Sequence, residues 1–333
     1  MAAAIPLLLI LSIVSFTMIR ALPGDPVEAI MGESIRDISA QDLSYLRKEL
    51  GLDDPMPAQY LHWLGGWVGQ GELGRSYHDD RPVLEVIFER VPATILLVGL
   101  AITLAFSSGL IWGVFLVWIK VNSKFAWLEG LLVSTTLLIY SVPAFLTGLL
   151  AIYLVTYISA LHFIPVFRVV NIKAQEELIG LLPFAILPAL CLALGRAAKV
   201  SLFVRSLALD EVNKGYVTMA LAKGLPYFKV ILFHVVRNCM IPVINLLALA
   251  LPALCGGSIL IETIFGWPGT GRLAVDATFG RNYPVMTCLV MLYGTMVILS
   301  NMLADMISPA IDPRLKDTLE SSAKQEAVRT RQL

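Results

Sequence analysis

The sequence predicts an all-α, polytopic membrane protein with six transmembrane helices. The 333-residue chain is 57% hydrophobic and only 15% charged, whereas about 25% of the residues in a soluble domain are charged. Its mean hydropathy is +0.76. Six apolar stretches approach or exceed the roughly 20 residues that cross a bilayer core as a helix. These stretches are residues 3–20, 93–119, 127–157, 180–206, 239–263 and 283–309.

The first stretch differs from a secretory signal peptide in two ways. A signal peptide has a positively charged start and a small-residue cleavage site. Here residues 2–19 contain no basic residue, and Arg20 is followed by Ala-Leu-Pro-Gly-Asp-Pro. We therefore expect residues 1–20 to form a retained transmembrane helix.

Residues 21–92 are expected to form an external cap over the mouth of the helical core. "DISAQDLSYLRKELGLDDP" places apolar residues at near-helical spacing between positions 38 and 50, and Gly51 is expected to end that helix. "YLHWLGGWVGQGELGRSY" then mixes tryptophans with glycines, which is typical of a turn at the membrane surface. "RPVLEVIFERVPATILL" leads back into the membrane.

The remaining apolar stretches belong to a five-helix core at 93–313. Two of these stretches contain prolines that are expected to interrupt the helix, namely Pro183, Pro188, Pro242 and Pro252. Such breaks are tolerated in a helical bundle because neighbouring helices satisfy the freed backbone groups.

Lysine and arginine set the expected orientation, because they are enriched in cytoplasmic loops. Three regions are basic: the 120–124 loop, residues 196–237 with seven Lys or Arg, and the tail at 314–333. With six spans, all three regions fall on the same side of the membrane. We therefore expect both termini and the loop at 207–238 to be cytoplasmic, and the loop at 264–282 to be external.

A basic segment, "YVTMALAKGLPYFKVILFHVVRNCMIP", separates the fourth and fifth spans. Its charges exclude a transmembrane helix, because a charged residue at the bilayer centre costs about 2.5 to 3.5 kcal/mol. Gly224 is expected to end a first short helix, and Pro226 to begin the next. Small and apolar residues predict one smooth helical face, formed by Val217, Ala220, Leu221, Gly224 and Leu225. The residues alone fit two alternatives equally, a helix on the membrane surface or a helix that docks on another protein.

The sequence contains no motif for catalysis, nucleotide binding or metal binding. Nothing matches the phosphate-binding loop G-x-x-x-x-G-K-[ST], the zinc motif H-E-x-x-H or the nucleophile motif G-x-S-x-G. The four histidines are isolated and the four cysteines lie far apart, so we expect buried free thiols and no metal site. The net charge is zero, and no basic tract indicates a nucleic-acid partner. We expect no cofactor and no enzymatic activity.

Three acidic residues, Glu129, Glu262 and Asp305, lie near the ends of spans. An ionisable residue within the membrane is a candidate functional residue by default. Glu262 precedes the Gly/Pro-rich sequence "IFGWPGTGR", which we expect to re-enter or lean over the external mouth. Asp305 is interpreted as structural. No residue is singled out as a substrate ligand, because small residues in membrane helices are more often packing contacts.

A series of short motifs resembles the permease subunits of bacterial ATP-binding-cassette (ABC) importers. Within that class, the chain is similar to the first permease of dipeptide, oligopeptide and nickel systems. Each motif alone is weak, but their order and spacing make the resemblance specific. The motifs are LPGDP at 22–26, GELGRSY at 71–77, RPVLEVIFERVPATILL at 81–97, YSVPAFLTGLL at 140–150, LPALCLALG at 187–195, YVTMALAKGL at 216–225, HVVRNCMIPVI at 234–244, ETIFGWPGTGRL at 262–273, RNYPV at 281–285 and DPR at 312–314.

The resemblance implies the type I permease fold of ABC importers, in a bacterial inner membrane. It also implies a second homologous permease, two ATP-binding cassette ATPase subunits that hydrolyse ATP in the cytoplasm, and an extracytoplasmic solute-binding protein. In such importers the loop between spans four and five couples to the ATPases, which assigns that contact to Ala220, Ala222, Lys223, Gly224 and Leu225. The external loop meets the binding protein, which assigns that contact to Trp267, Gly269, Gly271 and Arg272.

Import of di- or oligopeptides is the main functional expectation from this resemblance. A nickel or metal-chelate importer permease of the same family is the alternative. A secondary transporter is a third possibility, from a different class. It would usually show inverted repeats and carboxylates on midplane helices, and neither feature is evident in the sequence.

Overall fold

The computed structural model describes residues 4–21, 51–71, 73–122, 125–157 and 180–311, together with residues 27, 44–45 and 47–48. Throughout these ranges the regular structure is helical, and extended pairing is confined to one bridge between Arg75 and Pro82. The prediction of an all-α protein is therefore confirmed. Most of the helix predicted at 38–50 and the whole tail at 314–333 lie outside the described residues.

Long apolar helices alternate with short helices along the chain. In two places a short helix continues into a π-helical turn, at Gly66–Gln70 and at Ile231–Val235. In chain order the helices are α1 (Ala4–Arg20), α2 (Met56–Gly65), α3 (Val83–Phe88), α4 (Val91–Val121), α5 (Ala126–Ser141), α6 (Ala144–Tyr157), α7 (Leu182–Val212), α8 (Gly215–Ala222), α9 (Tyr227–Val230), α10 (Val236–Phe265), α11 (Thr270–Phe279) and α12 (Tyr283–Ile311).

Helices occupy all six apolar stretches predicted from the sequence. Four helical segments are long and apolar enough to cross a membrane: Val83–Val121, Leu182–Val212, Tyr227–Leu247 and Tyr283–Leu303. The third begins inside the basic segment whose charges were predicted to exclude a transmembrane helix, so from Tyr227 onward its length and composition are compatible with a span, contrary to that prediction. Helices α5 and α6 together pass the same test as one broken span, and α1 is a shorter apolar helix. The predicted proline breaks are absent. Pro183 lies in the first turn of α7, which continues through Pro188, and α10 continues through Pro242 and Pro252.

The stretch predicted as one span at 127–157 is instead bent by 94° between α5 and α6. The bend lies at Val142 and Pro143, where Val142 has the extended conformation φ −79°, ψ 122°. Proline disfavours the helical conformation for the residue before it. The local sequence therefore accounts for the break.

The described residues divide into two compact units. The first contains the residues up to 97, with 180–185 and 255–298. The second contains 98–157, 186–254 and 299–311. The external-loop candidates lie in the first unit and the coupling candidates in the second.

In the first unit, α2 packs on α1 through a row of aromatic rings. Phe16 of α1 lies 5.6 Å from Tyr60 and 5.5 Å from Trp63 of α2, centroid to centroid. Trp67, in the π-helical turn after α2, lies 5.5 Å from Trp63. Aromatic residues concentrate where membrane meets water, so this arrangement fits the predicted role of the tryptophan-rich sequence.

In the second unit, α4 and α7 approach each other closely at two glycines. A Cβ atom at Gly109 would lie 2.7 Å from Cβ of Val200, and one at Gly113 would lie 2.7 Å from the carbonyl oxygen of Ser201. Glycines four residues apart allow membrane helices to pack with their backbones in close contact. Their small size therefore sets the distance between α4 and α7.

Candidate functional site

The segment at 207–238 is anchored by buried aliphatic side chains. Val217 of α8 and Val230, Ile231 and Val235 farther along are each at most 1% exposed. They form one cluster that also includes Val117 of α4. The apolar residues among the charges in this segment therefore serve as its attachment to the neighbouring helices.

Gly224 ends α8 with a two-bond C-terminal cap, as the sequence predicted. The Gly224 N–H donates to the Leu221 carbonyl at 2.9 Å, and the Leu225 N–H donates to the Ala220 carbonyl at 3.4 Å. Gly224 has φ +83°, a left-handed conformation that favours glycine in this motif. Pro226 then caps the start of α9. A tight turn with a defined backbone therefore separates α8 from α9.

The turn after α8 is the exposed tip of this segment. Ala222, Lys223, Gly224 and Leu225 are exposed, whereas Ala220 is half-buried against the cluster. The predicted smooth face included Val217 and Leu221, but these two side chains pack against the neighbouring helices and are not part of the exposed surface. Nothing lies within 4 Å of the position that a Cβ at Gly224 would occupy, so this backbone is open to a partner.

Glu211 connects the end of α7 to the elements on either side of the tip. It forms an ion pair with Lys214, and the Tyr216 hydroxyl donates to its carboxylate at 2.7 Å. Asn238 of α10 donates to the same carboxylate at 3.5 Å. Burial and the bond to Glu211 raise the pKa of Tyr216 to about 12, so this hydroxyl stays protonated as a donor.

Glu262, near the end of α10, is fully buried and accepts hydrogen bonds on both carboxylate oxygens. Its Oε1 accepts from Ser258 at 3.0 Å and from Thr94 at 3.1 Å. Its Oε2 accepts from the backbone N–H of Gly271 at 2.7 Å and of Arg272 at 3.1 Å. The carboxylate therefore fixes the first turn of α11 against α10 and α4.

Two glycines make room for the Glu262 carboxylate. A Cβ at Gly269 would lie 2.6 Å from the carboxylate carbon of Glu262, and one at Gly271 would lie 2.8 Å from its Oε2. Contacts under 3.0 Å force a displacement of the neighbouring atoms. The Gly-x-Gly spacing in this loop is thus explained by close packing around an acidic side chain.

Trp267 is also buried, and its indole N–H donates to the Ala93 carbonyl at 2.9 Å. Three of the four predicted contact residues, Trp267, Gly269 and Gly271, therefore shape the loop from inside. Arg272 is half-buried, and its guanidinium donates to the Gly266 carbonyl at 2.8 Å. Contact with a partner protein stays a prediction for all four residues.

Glu129, the second acidic candidate, lies in an ion cluster of the second unit. Nε of Arg205 on α7 donates to its Oε1 at 2.6 Å, and Nζ of Lys120 on α4 lies 3.4 Å from its Oε2. Glu129 is buried and both cations are partly accessible. The cluster joins α4, α5 and α7. The side chain of Asp305 lies outside what the structure describes.

Sequence reasoning missed several partners of these acidic residues. Thr94, whose hydroxyl contacts both Glu262 and Thr270, is 168 residues from Glu262 along the chain. Its threonine type and position in an apolar stretch give no signal of that contact. Three cysteines, Cys191, Cys239 and Cys288, are buried and free as predicted. Among the described residues, no group of three His, Cys, Asp or Glu side chains could hold a metal ion.

These observations define a multi-pass membrane subunit, with a firmly anchored, exposed turn between two spans. Residues 105–317 match the family described as "Binding-protein-dependent transport system inner membrane component". Residues 1–98 match its N-terminal counterpart, "Binding-prot-dependent transport system membrane comp, N-term". The chain belongs to the family of binding-protein-dependent transport system inner membrane components.

Two relatives align along nearly the whole chain. The oligopeptide transport system permease protein AppB of Bacillus subtilis (strain 168) is 33% identical over 314 residues, which is 94% of this chain and 96% of AppB. The dipeptide transport system permease protein DppB of Escherichia coli (strain K12) is 35% identical over 331 residues, again 94% of this chain and 96% of DppB.

A solved structure supports the fold. A chain from the methionine ABC transporter MetNI, in inward-facing conformations, matches with a TM-score of 0.54 at 19% identity. The match covers 68% of this chain and 97% of that chain. The fold predicted from the sequence, that of an ABC importer permease, is confirmed.

Proposed function

We propose that this chain is a permease subunit of an ATP-driven importer for di- or oligopeptides, and that it forms half of the translocation path. The names and full-length alignment of AppB and DppB support a peptide substrate. They favour peptide import over the nickel alternative.

The proposed importer contains a second homologous permease, two ATPase subunits and an extracytoplasmic solute-binding protein. The sequence has no phosphate-binding loop, so ATP hydrolysis is assigned to the partner ATPases. The chain is placed in the bacterial inner membrane with both termini cytoplasmic. Residues 1–20 are the first span, 21–92 the external cap, 93–313 the permease core and 314–333 a cytoplasmic tail.

The observation that carries the proposal is the contrast between the base and the tip of the segment at 207–238. The base is fixed by fully buried aliphatic residues, whereas Ala222 to Leu225 are exposed. A rigid, exposed turn can transmit force from an ATPase to α7 and α10. We therefore assign ATPase coupling to Ala220, Ala222, Lys223, Gly224 and Leu225.

On the proposed external side, the loop at 264–282 meets the binding protein. Trp267, Gly269 and Gly271 hold its shape through Glu262 and Ala93. Arg272 is accessible in part, and the ring of Phe279 at the end of α11 is 87% exposed. We therefore propose that Arg272 and the α11 surface contact the binding protein directly. The three buried residues contribute indirectly, because they hold the loop in the shape that presents this surface.

A cross-linked pull-down of the tagged chain from its native membrane tests the assembly. We expect mass spectrometry to identify a second six-span permease, one or two kinds of ATPase subunit and an external binding protein. The recovered complex, reconstituted in liposomes, should take up labelled dipeptides only with ATP. Recovery of the chain alone would remove the importer assignment and favour a secondary transporter.

Gly224 offers a direct test of coupling. Gly224→Arg should leave the amount of membrane-inserted chain unchanged but stop peptide uptake and weaken ATPase co-purification, because the large side chain occupies the open space at the turn. Gly224→Asn is the matched control, since asparagine tolerates the left-handed conformation better than other non-glycine residues. Normal uptake by the Arg variant would remove the coupling assignment.

A further inference from the structure

The first unit contains a polar cavity of about 480 Å³ that the proposed function does not use. It is lined by Arg20 at the end of α1, by Lys48 and Asp54 of the segment before α2, and by His62 and Trp63 of α2. Small-molecule sites usually occupy about 300 to 1,000 Å³ and combine apolar walls with a few polar groups. Its volume falls within that range, but its lining is mostly charged and polar, with Trp63 as the one large apolar side chain among the lining residues. Such a lining suits a small, charged ligand.

Two cations in this lining lack an acidic partner among the described residues. Arg20 lies over the ring of Phe16, 5.6 Å from its centroid. Neighbouring Arg47 behaves differently, because its Nε is 3.3 Å from the carboxylate of Asp53. Arg20 and Lys48 bring two cations to this lining, and arginine and lysine form strong charge-assisted hydrogen bonds with anionic oxygens.

Asp54 supplies the opposite charge on the same cavity. Gln59 Nε2 donates to the Asp54 carbonyl at 2.8 Å and to the Leu52 carbonyl at 3.1 Å. These bonds fix the turn that carries Asp54. Its carboxylate has no ion-pair partner within the described ranges, and a primary ammonium group matches it chemically.

We propose that this cavity binds a small zwitterion, with its anionic group on Arg20 and Lys48 and its primary ammonium on Asp54. Trp63 packs against the apolar part of the ligand. Two sources share this chemistry: a short peptide with free termini and the headgroup of phosphatidylethanolamine. The peptide source rests on the proposed function. The lipid source is independent of the proposed function. It depends only on the expected position of the aromatic row of Phe16, Trp63 and Trp67 at the membrane surface.

Binding is measured on the full complex in lipid nanodiscs, without ATP. Radiolabelled dialanine and N-acetyl-dialanine amide are compared by equilibrium dialysis in nanodiscs of phosphatidylcholine alone. Retained phosphatidylethanolamine is measured by native mass spectrometry after mixed-lipid preparation. The variants are Lys48→Gln, Arg20→Gln/Lys48→Gln and Asp54→Asn. Arg47→Gln is the control, because Arg47 is adjacent in sequence but paired with Asp53.

We expect one of the two zwitterions to bind wild type and Arg47→Gln equally, and the pocket variants at least tenfold more weakly. Preference for dialanine over its blocked form identifies a peptide site, and retention of phosphatidylethanolamine identifies a lipid site. Equal binding of both ligands by all variants, or no binding by wild type, overturns the proposal. Peptide uptake is measured separately, so absent uptake with intact pocket binding counts against the proposed function alone.

Discussion

At the residue scale, Glu262 shows how an acidic side chain is accommodated at the end of an apolar helix. An ionised carboxylate removed from water is costly unless hydrogen bonds replace its hydration. Here two hydroxyls and two backbone N–H groups donate to it. An ionisable residue in a membrane helix is by default a candidate functional residue. For Glu262 the hydrogen bonds show a structural role, which is to hold the loop before α11.

Removing the Glu262 carboxylate should destabilise the chain. In Glu262→Ala the buried N–H of Gly271 and the partly buried N–H of Arg272 lose their acceptor. A buried donor left without an acceptor costs about 1 to 3 kcal/mol. We expect a clearly lower thermal unfolding midpoint for the purified protein in detergent. Thr263→Ala is the control, because Thr263 is the next residue and is exposed. Matching midpoints for the two variants would contradict the proposed role of Glu262.

At the element scale, the spacing of α4 and α7 depends on Gly109 and Gly113. A methyl group at either position meets backbone or Cβ atoms of α7 at less than 3 Å. These neighbours include the carbonyl oxygens of Ala197 and Ser201, which belong to a helix and cannot rotate away as a long side chain can. The two helices must therefore separate to admit the substitution.

We expect Gly109→Ala and Gly113→Ala to lower the thermal unfolding midpoint in detergent. Overpacking of this kind typically costs about 1 to 3 kcal/mol. Gly99→Ala, in the same helix, meets nothing within 4 Å and should be neutral or slightly stabilising, since alanine favours helix by about 0.5 to 1 kcal/mol over glycine. Equal midpoints for all three variants would show that the close approach does not limit stability.

The elements that the sequence predicted well are those set by local rules. The length of the apolar runs located all six helical stretches. Gly224 and Pro226 predicted the turn after α8, because each residue favours a particular backbone conformation. The bend at Pro143 follows from a local rule as well, but the apolar run hid it. Burial was harder to predict. Trp267 and Val217 turned inward because of partners far away in the chain, such as Ala93 and Val117.

At the scale of the whole molecule, the proposed function requires two exposed surfaces on opposite sides of the membrane. One is the turn at Ala222 to Leu225, and the other is the α11 surface that ends at Phe279. Both surfaces are accessible in the chain alone. Their assignment to the cytoplasm and the exterior follows from the distribution of lysine and arginine along the sequence.

Cysteine labelling measures that orientation directly. In a chain whose four native cysteines are replaced by alanine, Phe279→Cys should react with a membrane-impermeant maleimide on intact spheroplasts. Lys223→Cys should react only after permeabilisation, and Val217→Cys, buried at 1% exposure, should react slowly in both states. The reverse pattern for the first two variants would invert the proposed topology. Labelling of both positions from outside would place them on the same side of the membrane, and would contradict a single membrane crossing by α10 (Val236–Phe265) between them.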